Sequence, residues 1–368
     1  MSIVATRYGP FRIIDTDSVI SRSLREYGEW AQKEIDCILH FIKSGDRVAD
    51  VGAFIGTHSR AFSSAVGCEG RVYAFEPRKE IVEILLENTT FCIIENITIF
   101  QYALGREHHD LEIFTVPERR ENNYGGFSLK VVHGSGEAFN RIQLVTLDEL
   151  NIDHLDVIKI DVEGMESDVL LGAEAIIARD RPIVFAEVNS LQSGLPLLHW
   201  CEHHQYVMFC ALHPAYNPQN FAVNPVNFFL DAIEINALLM PGEKWNSHAD
   251  WIRAQCMAPA HSPDDLVLIL LHKPQYVGEV LKNSNSAAVL RTDFLEQHID
   301  ERLAELHGLR QLLTATENAK EVAEHLAYER LAELQILHQK LADRQNRGWR
   351  RLADLWEWTV SIAGRKAP

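Results

Sequence analysis

The 368-residue chain has no run of about 18 consecutive apolar residues, and its start, MSIVATRYGPFRIID, has no basic segment leading into an apolar stretch. These absences leave no candidate for a membrane-spanning helix or a secretory leader, so a soluble, cytoplasmic protein is expected. Paired cysteines are lacking too: Cys37, Cys68, Cys92, Cys201, Cys210 and Cys256 are scattered and form no CxxC, which excludes a disulfide-stapled framework and predicts reduced thiols. The one dense stretch, His199, Cys201, His203, His204, Cys210 and His213, lacks a second spaced ligand pair for zinc and reads as a helix and strand carrying ordinary histidines. Basic side chains are in deficit, 35 Lys and Arg against 52 Asp and Glu, for a formal charge of -17. A body of that sign repels a phosphate backbone, so nucleic acid is not an expected partner.

With 46% hydrophobic and 24% charged residues the composition is that of a globular protein, long enough for one large domain and an appendage. Apolar positions at helical spacing from Glu29 to Ile42 stop at Ser44-Gly45-Asp46. Short apolar runs follow at Arg47–Val51, Arg71–Phe75, Ile97–Tyr102, Val157–Ile160 and Ile183–Ala186, with helix-compatible segments between several of them. Strands alternating with helices predict an α/β fold with a mostly parallel sheet and helices on both faces. Further strands are expected at Tyr206–Leu212 and Val267–Leu271. The polar, glycine-rich stretch from Glu107 to Arg141 predicts hairpin strands or a mobile loop, and an Asn- and Pro-rich loop spans His213 to Asn236.

In such sheets a ligand lies beyond the carboxyl ends of the strands. The loops there are Gly52–Ser59, Glu76-Pro77, Ala103-Leu104-Gly105, Asp161-Val162-Glu163-Gly164 and Glu187-Val188-Asn189. Gly52 and Gly56 let the backbone turn tightly before a helix whose first N–H groups attract an anion. The dinucleotide fingerprint GxGxxG is not met, because Phe54 stands at its second glycine, and no YxxxK pair is recognisable; both weigh against a nicotinamide-dependent epimerase or reductase. Glu76, 24 residues after Gly52, is placed to accept both hydroxyls of a ribose. An acid at the end of each of the first two strands, with a glycine loop between, suits a nucleoside with a carboxylate tail, the shape of S-adenosylmethionine.

The stretches VADVGAFIGTHSR (Val48–Arg60), GRVYAFEPRK (Gly70–Lys79), VIKIDVEGMESDVLLGAEA (Val157–Ala175) and PIVFAEVNS (Pro182–Ser190) resemble the FkbM family of S-adenosylmethionine-dependent methyltransferases over residues 45–235. The resemblance implies a class I methyltransferase (Rossmann-like) fold with Asp50, Gly52, Gly56 and Glu76 holding the cofactor, and O-methylation of a sugar, glycolipid or macrolide-like product. Family members often carry Asn and an aromatic where this chain has Phe54 and His58. Thr57, Ser59, Ala103 and Asp161, in the same loops, are further candidate cofactor contacts.

An alcohol has a high pKa, so the site must orient it and take up its proton or stabilise the alkoxide. Asp161, Glu163 and Glu187 are the candidate catalytic carboxylates, since neighbours of like charge raise one another's pKa; His58 and His213 are alternative proton acceptors. Asp161, Glu187 and Asn189 could instead ligate a hard cation such as Mg²⁺. The structural alternative is that Asp161 and Glu163 cap a helix beginning near Ser167. A functional alternative is a methyltransferase-like scaffold without turnover.

The expected domains are an N-terminal segment and helix (1–44), the methyltransferase domain (45–290), a long helix or coiled coil (291–345) and a basic, Trp-rich amphipathic tail (346–368). On a seam that starts at Leu295 and steps alternately by four and three residues, ten of fifteen positions to residue 344 are apolar, the interruptions being Arg302, Thr316, Lys320, Arg330 and Arg344; residues 295–341 are therefore a candidate homo-oligomer contact. Residues 344–368 hold six basic and two acidic side chains, against 29 and 50 in the rest. Trp349, Leu352, Trp356 and Val360 on one helical face beside arginines suit peripheral contact with an anionic inner membrane; packing on the protein's own core or a partner is the alternative.

Overall fold

The strand segments share a composition that only a sheet covered on both sides tolerates. The computed structural model describes residues 2–91, 95–114 and 139–277, together with isolated helical positions between 304 and 339. In chain order the elements are β1 (Ser2–Thr6), β2 (Gly9–Ile13), α1 (Ile20–Tyr27), α2 (Gln32–Leu39), β3 (Arg47–Val51), α3 (Thr57–Val66), β4 (Arg71–Phe75), α4 (Lys79–Thr90), β5 (Ile97–Phe100), β6 (Ala103–Leu104), β7 (His109–Phe114), β8 (Phe139–Val145), β9 (Val157–Ile160), α5 (Glu166–Leu171), α6 (Glu174–Asp180), β10 (Ile183–Glu187), α7 (Leu191–His204), β11 (Tyr206–Pro214), β12 (Ile233–Pro241), α8 (Trp245–Ala254), β13 (Ala258–Ala260) and α9 (Pro263–Leu270).

The main sheet runs β13-β11-β12-β10-β9-β3-β4-β5. The pairs β5–β4, β4–β3, β3–β9 and β9–β10 are parallel, whereas β12 runs antiparallel to both β10 and β11. Every residue of β9 is buried, as are Val48, Val51, Val184 and Phe185, so apart from Asp50 and Lys159 the buried run is apolar instead of alternating. One face carries Ala49, Val51, Ile158, Ile160 and Val184 against α5, α6, α7 and α9. The other carries Val48, Val157, Phe185 and Leu238 against α2, α3 and α8. The chain fills β3, β4 and β5 outward and then returns to β9 on the far side of β3. This reversal opens a crevice at the carboxyl ends of β3 and β9.

The hairpin β1–β2 and helix α1 pack their Phe11, Ile13 and Leu24 on Phe54, Ile55, Ile81 and Ile84. The Arg60 guanidinium donates to the carbonyls of Tyr8 and Pro10, and Asn88 Nδ2 donates to the Ile55 carbonyl at 2.9 Å. The N-terminal residues thus brace the loop after β3 and belong to the compact unit Met1–Val277. A small sheet, β6-β8-β7, pairs β7 antiparallel with β8, which realises the hairpin expected in the Glu107–Arg141 stretch; residues 115–138 lie outside the described residues.

Two expectations are corrected. Val267–Leu271, expected as a buried strand, lies in α9 and the residue that follows it: Ser262 caps the helix by accepting the Asp265 N–H at 3.2 Å, and Pro263 starts it. Leu266, Ile269 and Leu270 face the core, and a short apolar run does not distinguish that from a strand. Helix α5 begins at Glu166 without a side-chain cap, so neither Asp161 nor Glu163 serves as one.

The second unit is Gly278–Pro368. Its described positions, among them Glu329, Arg330 and Glu333, are helical, and Arg330 reaches both Glu333 oxygens at 2.8 Å. Most of the seam at 295–341 and all of the tail at 344–368 lie outside the described residues. Among the described residues no helix is long and apolar enough to cross a membrane.

Candidate active site

At the centre of the crevice two backbones nearly touch. Gly52 (φ +83°) follows β3, and a Cβ there would overlap the carbonyl oxygen of Asp161, which follows β9. Phe54 (φ +48°) and Gly56 (φ +95°) continue the turn in left-handed conformations before α3. Phe54 therefore takes up the unusual backbone that a glycine adopts freely, while its ring anchors the N-terminal hairpin and lies 5.6 Å below the Arg78 guanidinium.

The polar side chains of this first loop turn inward. Asp50 is fully buried: its Oδ2 accepts the Ser59 hydroxyl at 2.5 Å and its Oδ1 lies 3.7 Å from Lys159 Nζ. Asp50 and Ser59 thus hold the loop from beneath. Thr57, the first residue of α3, is also buried, its Oγ1 3.5 Å from His58 Nδ1. His58 Nε2 lies 3.3 Å from Glu34 Oε1 of α2. Burial raises the Glu34 pKa, but the His58 ring and then Lys159 outweigh it and bring it down to about 2. This pairing makes His58 part of a buried polar contact.

Glu76, at the end of β4, is buried and accepts the Arg78 backbone N–H and Nε–H on Oε1, at 3.0 and 2.8 Å, and Nη2–H on Oε2 at 3.3 Å. A carboxylate oxygen takes two donors, so Oε2 keeps acceptor capacity for a ligand hydroxyl. Ala103 begins β6 and packs on Met165, which follows the acidic loop of β9.

That second loop presents charge. Among the described residues Asp161, Glu163 and Glu187 form the one acidic group whose ligand atoms lie within 4.8 Å of one another. Glu163 (φ +54°) and Gly164 (φ +99°) turn the chain there, and Glu166 Oε1 accepts the Gly164 N–H at 2.9 Å. Burial, and after it the charges of Asp161 and Glu166, push the Glu163 carboxyl up to about 8. Glu187 is raised well above its usual value, by burial first and then by Asp161 and Glu163. Its Oε2 is fully buried with no hydrogen-bond partner among the described residues.

Two lysines that sequence reasoning passed over complete the site. Lys159 of β9, 2% exposed, sets its Nζ 3.2 Å from Asp161 Oδ2 and raises no desolvation problem only because Asp50 faces it as well. Its signal was a lone cation inside the apolar run VIKI. Lys273, just beyond α9, donates to Glu234 Oε2 at 2.7 Å and to Asn189 Oδ1. Asn189, expected beside Asp161 and Glu187 as a cation ligand, is thereby engaged elsewhere. The three carboxylates are hard oxygen donors suited in type to Mg²⁺, and the Asn189 oxygen is held by the Lys273 ammonium.

His213 is not gathered into this cluster. It lines a cavity of about 630 Å³ between α2, β11 and α8, with Asp36, His40 and Trp251, and none of the three carboxylates lines it. Burial lowers its pKa. The histidine- and cysteine-dense stretch is divided between α7 and β11, with Cys201 and Cys210 buried and His204 stacked on Trp200.

A parallel sheet that reverses at β3, with a glycine turn and acids at its carboxyl ends, defines a Rossmann-like α/β domain. Residues 50–209 match the model of the methyltransferase FkbM domain. Among solved structures the chain is similar to methyltransferase FkbM from Methylobacillus flagellatus KT, at 16% identity over 56% of this chain and 50% of that one, with a TM-score of 0.35. It is also similar to an S-adenosylmethionine-dependent O-methyltransferase from Thermotoga maritima, at 16% identity over 56% of this chain and 64% of that one, with a TM-score of 0.37. A third is Aeropyrum pernix fibrillarin with natively bound S-adenosyl-L-methionine, at 14% identity over 56% and 74%, with a TM-score of 0.35. The chain thus spans about half to two thirds of the first two. No curated protein matches it.

Proposed function

We propose that this domain transfers the methyl group of S-adenosylmethionine to a hydroxyl of a sugar, a glycan or glycolipid, or a related natural product. One observation carries the reading: the glycine turn after β3 lies against the Asp161 backbone, and the Asp161, Glu163 and Glu187 side chains gather beside that contact. A nucleotide-binding turn and a cluster of proton acceptors are therefore neighbours.

The residues present fit the cofactor. Glu76 offers Oε2 to ribose hydroxyls, and the glycine turn brings the first N–H groups of α3 to a carboxylate. Asp50, through Ser59 and Lys159, keeps the turn rigid from below. When bound, S-adenosylmethionine supplies an electrophilic methyl on a sulfonium, released as the thioether. The chain contributes orientation and a proton acceptor. A carboxyl held at about 8, as in Glu163, is far closer to the working pH of a general base than an exposed glutamate, and Glu187, raised in the same way, is its partner. The acceptor hydroxyl gives its proton to this pair as its oxygen bonds to the methyl carbon. Asp161 is held by the Lys159 ammonium at 3.2 Å.

The test uses a tritiated methyl donor, the purified chain and a panel of monosaccharides and glycolipids. Label that withstands mild alkali marks an ether and is the expected result. Label released by alkali marks a carboxyl ester and would contradict a hydroxyl acceptor.

A further inference from the structure

Lys273 lies well beyond residue 209, where the matched domain ends, yet its ammonium bonds Asn189 and Glu234, neighbours of Glu187 after β10 and on β12. The residue is 5% exposed. Its backbone N–H closes the end of α9 on the Leu270 carbonyl at 2.9 Å. Gln275 then pairs with Ile233 at the start of β12, accepting its N–H at 3.3 Å and donating to its carbonyl at 3.1 Å, and Tyr276 packs on the main core. The segment after α9 is a latch, and Lys273 is what it inserts.

Removing an ammonium from water costs several kcal/mol unless partners replace the lost hydration. Here Glu234 Oε2 and Asn189 Oδ1 both accept from it. Glu234 lies diagonally across the β10–β12 pair from Glu187: Glu187 is opposite Asn236, and Glu234 is two residues along on the same face. The ammonium thus ties the loop after β10, through Asn189, two residues along from Glu187, to β12, through Glu234. Its charge also draws Glu163 and Glu187 toward their ionised forms, against the burial that opposes it.

We infer that Lys273 is the resident cation of the carboxylate cluster and a positioning residue for Glu187, occupying the electrostatic role that a divalent metal would otherwise fill. This inference rests on the methyl-transfer reading for its link to turnover, but not for its binding test. A divalent ion entering beside Asp161, Glu163 and Glu187 meets a fixed positive charge, and it cannot recruit Asn189 without breaking the contact to Lys273.

The experiment titrates the full-length chain with MnCl₂, following free Mn²⁺ by electron paramagnetic resonance, and compares Lys273→Met, Lys273→Arg and the wild type. Removing one positive charge from the cluster should tighten Mn²⁺ binding in Lys273→Met by roughly ten- to a hundredfold, with Lys273→Arg like the wild type. Where Lys273→Met fails to fold, Glu234→Gln/Lys273→Met removes the stranded carboxylate and is expected to show a smaller gain in the same direction, since Lys273 is the nearer charge to Asn189. Equal Mn²⁺ affinities in wild type and Lys273→Met would overturn the inference. Turnover adds a second readout: Lys273→Met should lower kcat and shift the pH profile with KM for the methyl donor unchanged, and Lys273→Arg should restore both; a change in KM alone would count against positioning. Titration with S-adenosylhomocysteine in parallel separates the two readings, since its failure removes methyl transfer and leaves the Mn²⁺ result standing.

Discussion

After β3 the chain turns its polar side chains inward, Ser59 to Asp50 and Asp50 toward Lys159, and what it offers a ligand is backbone. After β9 the arrangement is reversed: Asp161 and Glu163 gather with Glu187 of β10, and what the second loop offers is charge. The two loops meet where Gly52 lies against the Asp161 carbonyl, and Lys159 joins them a second time through its pair of aspartates. A site with one rigid, electrically quiet wall and one charged wall can bind a cofactor on the first and handle a proton on the second. Substitutions in the two loops should therefore fail in different ways.

The largest effect is expected at Gly52→Ala, where both the collision with Asp161 and the left-handed backbone act. A loss of at least about 4 kcal/mol in urea unfolding is expected, with cofactor binding gone. Stability within about 1 kcal/mol of wild type would show that the loops do not press on one another. Lys159→Met leaves Asp50 and Asp161 without their cation; roughly 3 kcal/mol is expected, read from the same unfolding curves.

Glu163→Gln should act on rate and pH dependence while leaving the fold intact. The carboxyl sits near 8 in the folded chain and near 4.5 when unfolded, so the folded state holds the extra proton between these values. Its contribution to stability is full below about 4.5 and is lost as pH rises through about 8. Turnover needs the ionised form and runs the other way, rising through about 8. Glu163→Gln should flatten both trends and lower kcat by on the order of a hundredfold; an unchanged pH profile would move the base to Glu187. The smallest effect is expected at Gly164→Ala, where a Cβ meets nothing within 4 Å and only the backbone at φ +99° is strained. A loss of about 1 kcal/mol, far below that of Gly52→Ala, is the expected thermal-melt result.

How much of this was legible in the sequence follows the same division. The buried strands are continuous apolar runs, and Gly52, Gly56, Glu76, Asp161, Glu163 and Glu187 stand where strands end, so the crevice could be read from position alone. Phe54 looked like a broken motif; the structure keeps its left-handed backbone and uses the ring elsewhere. Lys159 stood in plain view within VIKIDVEG, and a cation in a fully buried strand was the sign that anions face it. Lys273, Glu234 and Glu34 could not be read, because their relation to the site exists only after the sheet and helices are packed. The error at Val267–Leu271 has a local remedy: Ser262-Pro263-Asp264-Asp265 is a helix start, and it outweighs an apolar run too short to reveal its period.

The shared premise of both loops is that this crevice holds S-adenosylmethionine, and calorimetric titration of the purified chain with S-adenosylmethionine or S-adenosylhomocysteine tests it most directly. Saturable one-to-one binding, weakened roughly tenfold or more in Glu76→Gln, is the expected result. A folded wild-type chain that gives no binding heat with either compound, and no competition between them, would contradict it.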